Sequence, residues 1–243
     1  MPEEKVSAVI PLDGIKIGDE NKDTYFVMAT KNGTIKKTPI SAFANIRKSG
    51  IIAIDLRDDD KLIDVKITDN TDTIMLFTYE GKSIMFNETD IRITGRSSMG
   101  VRGMRLSEGD KVIAMTKTSE SDQVIIVSEK GFGKRTLTSE FRLQSRGGKG
   151  IKAYNITDKT GNIAGVISVE EDDELLMINS AGTMIRIRVS EVSLLKRVTS
   201  GVKMIRIDSK DDERVASIAK VKEEMENGEE DAEGENSEEG TEE

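Results

Sequence analysis

A period of about 50 residues runs through most of this chain and constrains its fold more than any single residue does. Four segments open with an acidic residue and an apolar, β-rich run, at residues 23–28, 72–77, 122–127 and 173–178. Each run ends at a turn glycine, Gly33, Gly81, Gly131 or Gly182, spaced by 48, 50 and 51 residues. A second glycine follows in every segment, at Gly50, Gly100, Gly150 and Gly201, spaced by 50, 50 and 51. Chance does not produce two registers this regular, so the chain is a tandem array of one supersecondary unit.

Local chemistry predicts four short strands per unit. Lys31-Asn32-Gly33 between apolar runs marks a hairpin, because Asn-Gly accepts the positive φ angles of a tight turn. The same place is held by Tyr79-Glu80-Gly81, Glu129-Lys130-Gly131 and Ser180-Ala181-Gly182. A second strand follows the turn, as at 34–38 or 183–189. A third follows the second glycine, as at 51–56 or 202–207, and a fourth lies at 61–67, 111–116, 162–169 and 214–219. Helical periodicity is not sustained for three turns anywhere in the repeats. The expected unit is therefore a four-stranded antiparallel sheet. Sheets that cannot bury their faces alone stack radially, so the expected class is all-β and propeller-like, with about four blades present. The blade repeats fall at 23–70, 71–120, 121–170 and 171–222. Residues 1–22 read as the last strand of a preceding blade and a linker, since Lys5-Val6-Ser7-Ala8-Val9 resembles Lys111-Val112-Ile113-Ala114-Met115; that strand either completes the final blade and closes a ring or marks the chain as a piece of a longer array.

The 243 residues include no His and no Cys. That removes thiol and imidazole catalysis, a Ser-His-Asp triad, and zinc sites built on nitrogen or sulfur ligands. No apolar run is long enough to span a membrane, and the acidic start differs from a secretory signal, so the expected location is cytoplasmic. The formal net charge of −9 averages two unlike parts. Residues 223–243 carry 12 acidic side chains and no Lys or Arg; removing those 12 from the 45 acidic residues leaves 33 against 36 basic ones. The glycine-spaced acidic tail has too little apolar surface to offset its ordering entropy and is expected to be disordered. It is either a solubiliser or an electrostatic competitor for whatever the basic body binds.

Cations recur in the body in register. Arg96, Arg146 and Arg197 stand four residues before the second glycine, with Arg47 and Lys48 in the shorter first repeat. Arg102, Lys152 and Lys203 stand two residues after it, and Arg105 and Arg206 five after. Lys37, Arg135 and Arg186 lie four residues beyond the first glycine, with Lys36 and Lys134 beside the first two, and Lys149 precedes Gly150. In a radial array such positions share a height and radius, so each row becomes a basic stripe that suits a bent polyanion. Duplex DNA is the obvious one, bound through phosphates with little sequence readout. A protein-interaction propeller recognising an acidic partner is the alternative. Phe26, Phe77, Tyr25, Phe43 and Phe141 lie in or beside apolar strands and read as core, which argues against base stacking.

Four stretches, Lys31-Asn32-Gly33-Thr34-Ile35-Lys36-Lys37-Thr38, Gly100-Val101-Arg102-Gly103-Met104-Arg105-Leu106, Gly131-Phe132-Gly133-Lys134-Arg135-Thr136 and Arg188-Val189-Ser190-Glu191-Val192, closely resemble the C-terminal domain of DNA gyrase A subunits, with the corresponding part of topoisomerase IV as a near relative. The resemblance covers residues 4–220. It implies a β-pinwheel whose blades exchange strands and whose basic rim wraps duplex DNA, so that strand passage by the complete enzyme introduces negative supercoils. It also implies as partners the gyrase B subunit together with the catalytic N-terminal region of the gyrase A subunit. ATP and Mg2+ would be used by the complete enzyme, with no cofactor in this chain. Discs of this family usually have about six blades, so the leading ones would be missing here. Gln144-Ser145-Arg146-Gly147-Gly148-Lys149-Gly150 resembles the family's glycine-rich box but lies in the third repeat, with Ser145 where the box has a cation. It is either an interblade loop or a phosphate grip through its amides, Arg146 and Lys149.

No catalytic residue is expected in this chain: Tyr25, Tyr79 and Tyr154 match no cleavage motif, and Gly131–Thr136 lacks phosphate-loop spacing. The carboxylate clusters Asp58-Asp59-Asp60 and Glu170-Glu171-Asp172-Asp173 lie where strands connect and read as turns rather than metal sites.

Overall fold

A computed structural model describes residues 23–207 and 213–221. The expected N-terminal strand and the acidic tail lie outside the described residues. Fifteen strands follow one another: β1 (Tyr25–Thr30), β2 (Thr34–Pro39), β3 (Leu62–Thr68), β4 (Thr73–Thr78), β5 (Lys82–Asn87), β6 (Val101–Arg102), β7 (Val112–Lys117), β8 (Gln123–Ser128), β9 (Phe132–Leu137), β10 (Ile151–Lys152), β11 (Ile163–Ser168), β12 (Glu174–Asn179), β13 (Met184–Arg188), β14 (Val202–Lys203) and β15 (Val215–Val221). A single 3-10 turn follows the second strand of each repeat, at Ile40–Phe43, Glu88–Asp90, Thr138–Glu140 and Val189–Glu191.

The hairpins form where the turn glycines predict them. β1 pairs with β2, β4 with β5, β8 with β9 and β12 with β13, all antiparallel. Gly33, Gly81, Gly131 and Gly182 all take positive φ, between 77° and 86°. A residue with a Cβ resists that conformation.

Strand exchange departs from the one-repeat, one-sheet unit that local chemistry suggests. The sheet orders are β3-β1-β2-β6, β10-β5-β4-β7, β11-β8-β9-β14 and β13-β12-β15. The short strand after Gly100, Gly150 and Gly201 thus completes the sheet of the preceding repeat, as the family resemblance implies. Strands β3, β7, β11 and β15 pack against one another from blade to blade and form the inside of the array. The exchanged strands β6, β10 and β14 hold the opposite, outer edge.

Three sequence expectations are corrected, the first two by this exchange. Residues 51–56 form no strand, because their sheet partner would be the second strand of a preceding repeat and the described residues contain none. Among the described residues the fourth blade has three strands, and no exchanged strand pairs with β13. The third strand is also shorter than expected, two residues rather than the six of 202–207.

Core side chains lie between blades. Within β1, Val27 and Ala29 turn to one face and Phe26 and Met28 to the other, the two-residue alternation of a strand. Val27, Ala29 and Ile35 meet Ile74, Leu76 and Ile84 of the second blade. Met75 and Phe77 meet Val124 and Ile126 of the third, and Ile125 and Val127 meet Leu175 and Met177 of the fourth. Burial at both faces explains why the strands read as nearly continuous apolar runs. Phe26–Phe43 and Phe77–Phe141 stack edge-on at 5.1 and 5.8 Å, so the aromatics serve the core as predicted.

Candidate nucleic-acid interface

The second glycine of each repeat makes the exchange possible. A Cβ on Gly100 would stand 2.5 Å from the Ile35 carbonyl oxygen, and one on Gly150 2.5 Å from that of Ser83. Backbone therefore crosses the preceding repeat's second strand at a distance no side chain permits. At Gly50 the space is open, consistent with the unpaired segment that follows it. Directly beyond each crossing, the exchanged strand places one cation opposite the same position of its host: Arg102 opposite Thr34, Lys152 opposite Lys82 and Lys203 opposite Phe132. All three are exposed, as are Arg105 and Arg206 farther along. The row Arg102, Lys152 and Lys203 thus lies on the outer edge of successive blades, and Arg105 and Arg206 are exposed in the segments that follow it.

The arginines before the glycine have a second role. Arg96 Nη1 donates to the Ile52 carbonyl at 3.1 Å, Arg146 Nη1 to that of Arg102, and Arg197 Nη1 to that of Lys152. Each acceptor stands two residues after the second glycine of the preceding repeat. Their regular register therefore has a structural cause, a latch between consecutive repeats, and the three side chains are half-buried.

Four of the sequence-selected cations lie inside. Lys36, Lys37, Lys134 and Arg135 are buried on β2 and β9. Lys36 Nζ donates to the carbonyls of Ala53, at 2.6 Å, and Arg96. Lys134 Nζ donates to those of Ala153, Lys196 and Arg197, at 3.1 Å and 2.9 Å for the first two. Burial lowers the Lys36 ammonium pKa to about 8 and that of Lys134 to about 7, with the nearby Arg96 and Arg197 guanidiniums acting in the same direction. Lys37 pairs with Glu88. Arg135 donates to the carbonyls of Val192 at 2.7 Å and Ser190 at 3.3 Å. These groups join blades and present no charge to a partner. Arg47, Lys48, Lys149 and Arg186 are exposed; Arg186 lies on the open edge strand and pairs with Glu174.

The loop from Gln144 to Gly150 bridges blades. Gln144 N donates to the Met85 carbonyl at 2.8 Å, Gly147 N to that of Gly103 at 2.7 Å, and Arg146 Nε to that of Asp90 at 3.1 Å. Lys149 faces solvent. Sequence reasoning passed over Arg92 and Arg142, exposed on the same loops eight residues before the second glycine; their shared spacing was the available signal.

The acidic clusters are structural at their buried members. Asp60 accepts from the Thr30 hydroxyl at 2.7 Å and from the Asn32 amide at 2.9 Å, closing the first hairpin. Asp173 accepts from the Glu170 amide and pairs with Lys220. Asp69, Asp72 and Glu88 converge, but Lys37 lies 2.6 Å from Glu88 and Lys117 3.4 Å from Asp72, so internal ammoniums supply the counter-charge. No described helix is long and apolar enough to cross a membrane.

The fold and its edge define a class, a strand-exchanged β-propeller array with a cationic outer edge. The chain belongs to the DNA gyrase C-terminal domain family, a β-propeller family whose model matches residues 24–69, 72–119, 122–170 and 173–222. It is 47% identical to the DNA gyrase A subunit of Clostridium acetobutylicum over 98% of this chain, and 36% identical to that of Escherichia coli over 91%. The chain spans 29% and 24% of those relatives' lengths. Its structure resembles the C-terminal domain of DNA topoisomerase IV, with a TM-score of 0.78 and 27% identity, over 86% of this chain and 65% of that one. The corresponding values for a DNA gyrase A C-terminal domain are 0.73 and 28%, over 86% and 73%.

Proposed function

We propose that this chain is the DNA-wrapping module of a gyrase A subunit, supporting ATP-dependent negative supercoiling by the complete type II enzyme. The observation that carries the reading is the row Arg102, Lys152 and Lys203, one exposed cation on each exchanged strand at one position of its host blade. A row that repeats once per blade suits phosphates spaced along a curved duplex, and each neutralised phosphate releases counterions. The module acts on shape and charge, and the described residues contain no helix longer than a 3-10 turn to serve as a reading helix. Its partners are duplex DNA, the B subunit, which works with the ATP and Mg2+ of the whole enzyme, and the catalytic region of the A subunit. Its place is the cytoplasm, on the bacterial chromosome.

Sealing nicked plasmid with ligase in the presence of this protein, at low and moderate salt, tests the reading. A linking-number shift that grows with protein and shrinks with salt is the expected result. Absence of duplex binding overturns it and favours a propeller that recognises an acidic protein surface.

A further inference from the structure

We infer that a row of exposed aliphatic side chains, Ile93, Leu143 and Leu194, forms part of the duplex contact and packs on the apolar deoxyribose edges between phosphates. The inference rests on the DNA-binding reading and adds to it a contact that is not electrostatic. The three residues lie seven positions before Gly100, Gly150 and Gly201, and are 52%, 52% and 48% exposed. Single exposed aliphatics are ordinary on protein surfaces and need no explanation. Three at one position of successive blades, on the loops that carry the cations, are not scattered. The first repeat, two residues shorter between its glycines, exposes Ile46 in the corresponding loop.

The backbone under the row is held. Ile93, Leu143 and Leu194 form isolated parallel bridges to Lys37, Met85 and Arg135, the same position of each preceding second strand. The next amide is fixed at all three junctions: Thr94 N to the Lys37 carbonyl at 2.9 Å, Gln144 N to that of Met85 at 2.8 Å, and Leu195 N to that of Arg135 at 2.9 Å. Docking such a side chain costs little ordering entropy. Each stands three residues before a latched arginine, and Arg92 and Arg142 immediately precede the first two. An aliphatic group beside guanidiniums, on both sides at Ile93 and Leu143 and on one at Leu194, matches the surface of a duplex, where sugar carbons alternate with phosphates. A protein partner would need that same alternation at blade spacing.

The test measures duplex affinity of the full chain against salt for wild type and for Ile93→Ser/Leu143→Ser/Leu194→Ser, with thermal unfolding as the check on folding. Loss of apolar burial is expected to weaken binding roughly 10- to 100-fold while the slope of log K against log salt is unchanged. The gentler Ile93→Val/Leu143→Val/Leu194→Val variant, which keeps the fold if the serines do not, should show a smaller loss with the same slope. Wild-type affinity in either folded triple variant overturns the inference and leaves the DNA reading intact. A loss with a reduced slope also overturns it, because the row would then act by positioning arginines. If wild type itself does not bind duplex, both readings fall.

Discussion

Lys37 and Glu88 face each other across the junction of the first two blades, Nζ to Oε1 2.6 Å, with side chains 1% and 0% exposed. Glu88 also accepts from the amides of Asn70 and Asp72, at 2.7 and 3.2 Å. Removing one member of such a pair strands the other as a buried charge. Glu88→Ala should therefore cost about 3–5 kcal/mol of folding stability, measured by denaturant unfolding. The Lys37→Ala/Glu88→Ala double variant should lose clearly less than the two single losses combined.

Burial of Lys134 should make stability depend on pH. Below about pH 7 both the folded and unfolded chains hold its proton. Between about pH 7 and its ordinary value near 10.5, the unfolded chain binds a proton that the folded chain does not. Stability therefore rises with pH through that window, and Lys36 adds the same sign from about pH 8 upward. Lys134→Met should flatten the rise in a series of unfolding curves from pH 7 to 10. A wild-type stability that falls across this interval, after matching for other titrating groups, would contradict the assignment.

Substituting Arg102, Lys152 and Lys203 together by Ala should weaken duplex binding almost equally on unrelated sequences. The same change should reduce the salt slope by about 3, one for each phosphate that is no longer neutralised. Lys36→Met/Lys134→Met removes two cations that recur after the first glycine of a repeat but are buried, and should leave that slope as in wild type. Fluorescence anisotropy of a labelled duplex at several salt concentrations separates the two sets.

Gly150→Ala and Gly50→Ala should differ although both backbones have positive φ, 69° and 78°. The second meets open space and should cost only the left-handed penalty, about 1–2 kcal/mol. The first drives a methyl against the Ser83 carbonyl oxygen and the Met104 methyl, at 2.5 and 2.7 Å, and should cost more. Thermal unfolding of the two variants side by side tests this.

The acidic segment 223–243 is either a competitor for the basic edge or a solubiliser. If it competes for the basic edge, its deletion tightens duplex binding, most at low salt where screening is weakest. Unchanged affinity at every salt would leave it a solubiliser.

Much of the architecture is legible in the sequence because the rules that produce it are local. Asn32-Gly33 makes a hairpin through backbone geometry alone, and a repeat spacing that carries two glycines survives any loop variation. The blades, their hairpins, the core role of Phe26, Phe77 and Phe141, and the family itself follow from such patterns. The row Arg102, Lys152 and Lys203 is visible in the same way, because each residue lies two positions from a glycine that marks a backbone crossing.

What surrounds a strand is not written in that strand. Thr34-Ile35-Lys36-Lys37-Thr38 reads as a strand that offers its lysines to a polyanion, yet Glu88 of the next repeat pairs with Lys37, the carbonyls of Ala53 and Arg96 receive Lys36 from the other face, and both lysines are buried. Arg96, Arg146 and Arg197 read as a free cationic row, but residues some 45 positions earlier receive their guanidiniums. Local chemistry by itself determined the repeat, its turns and its strands. Only the tertiary structure decided which cations brace the blades and which face outward, because burial and hydrogen-bond partners come from the neighbouring repeat, through strand exchange.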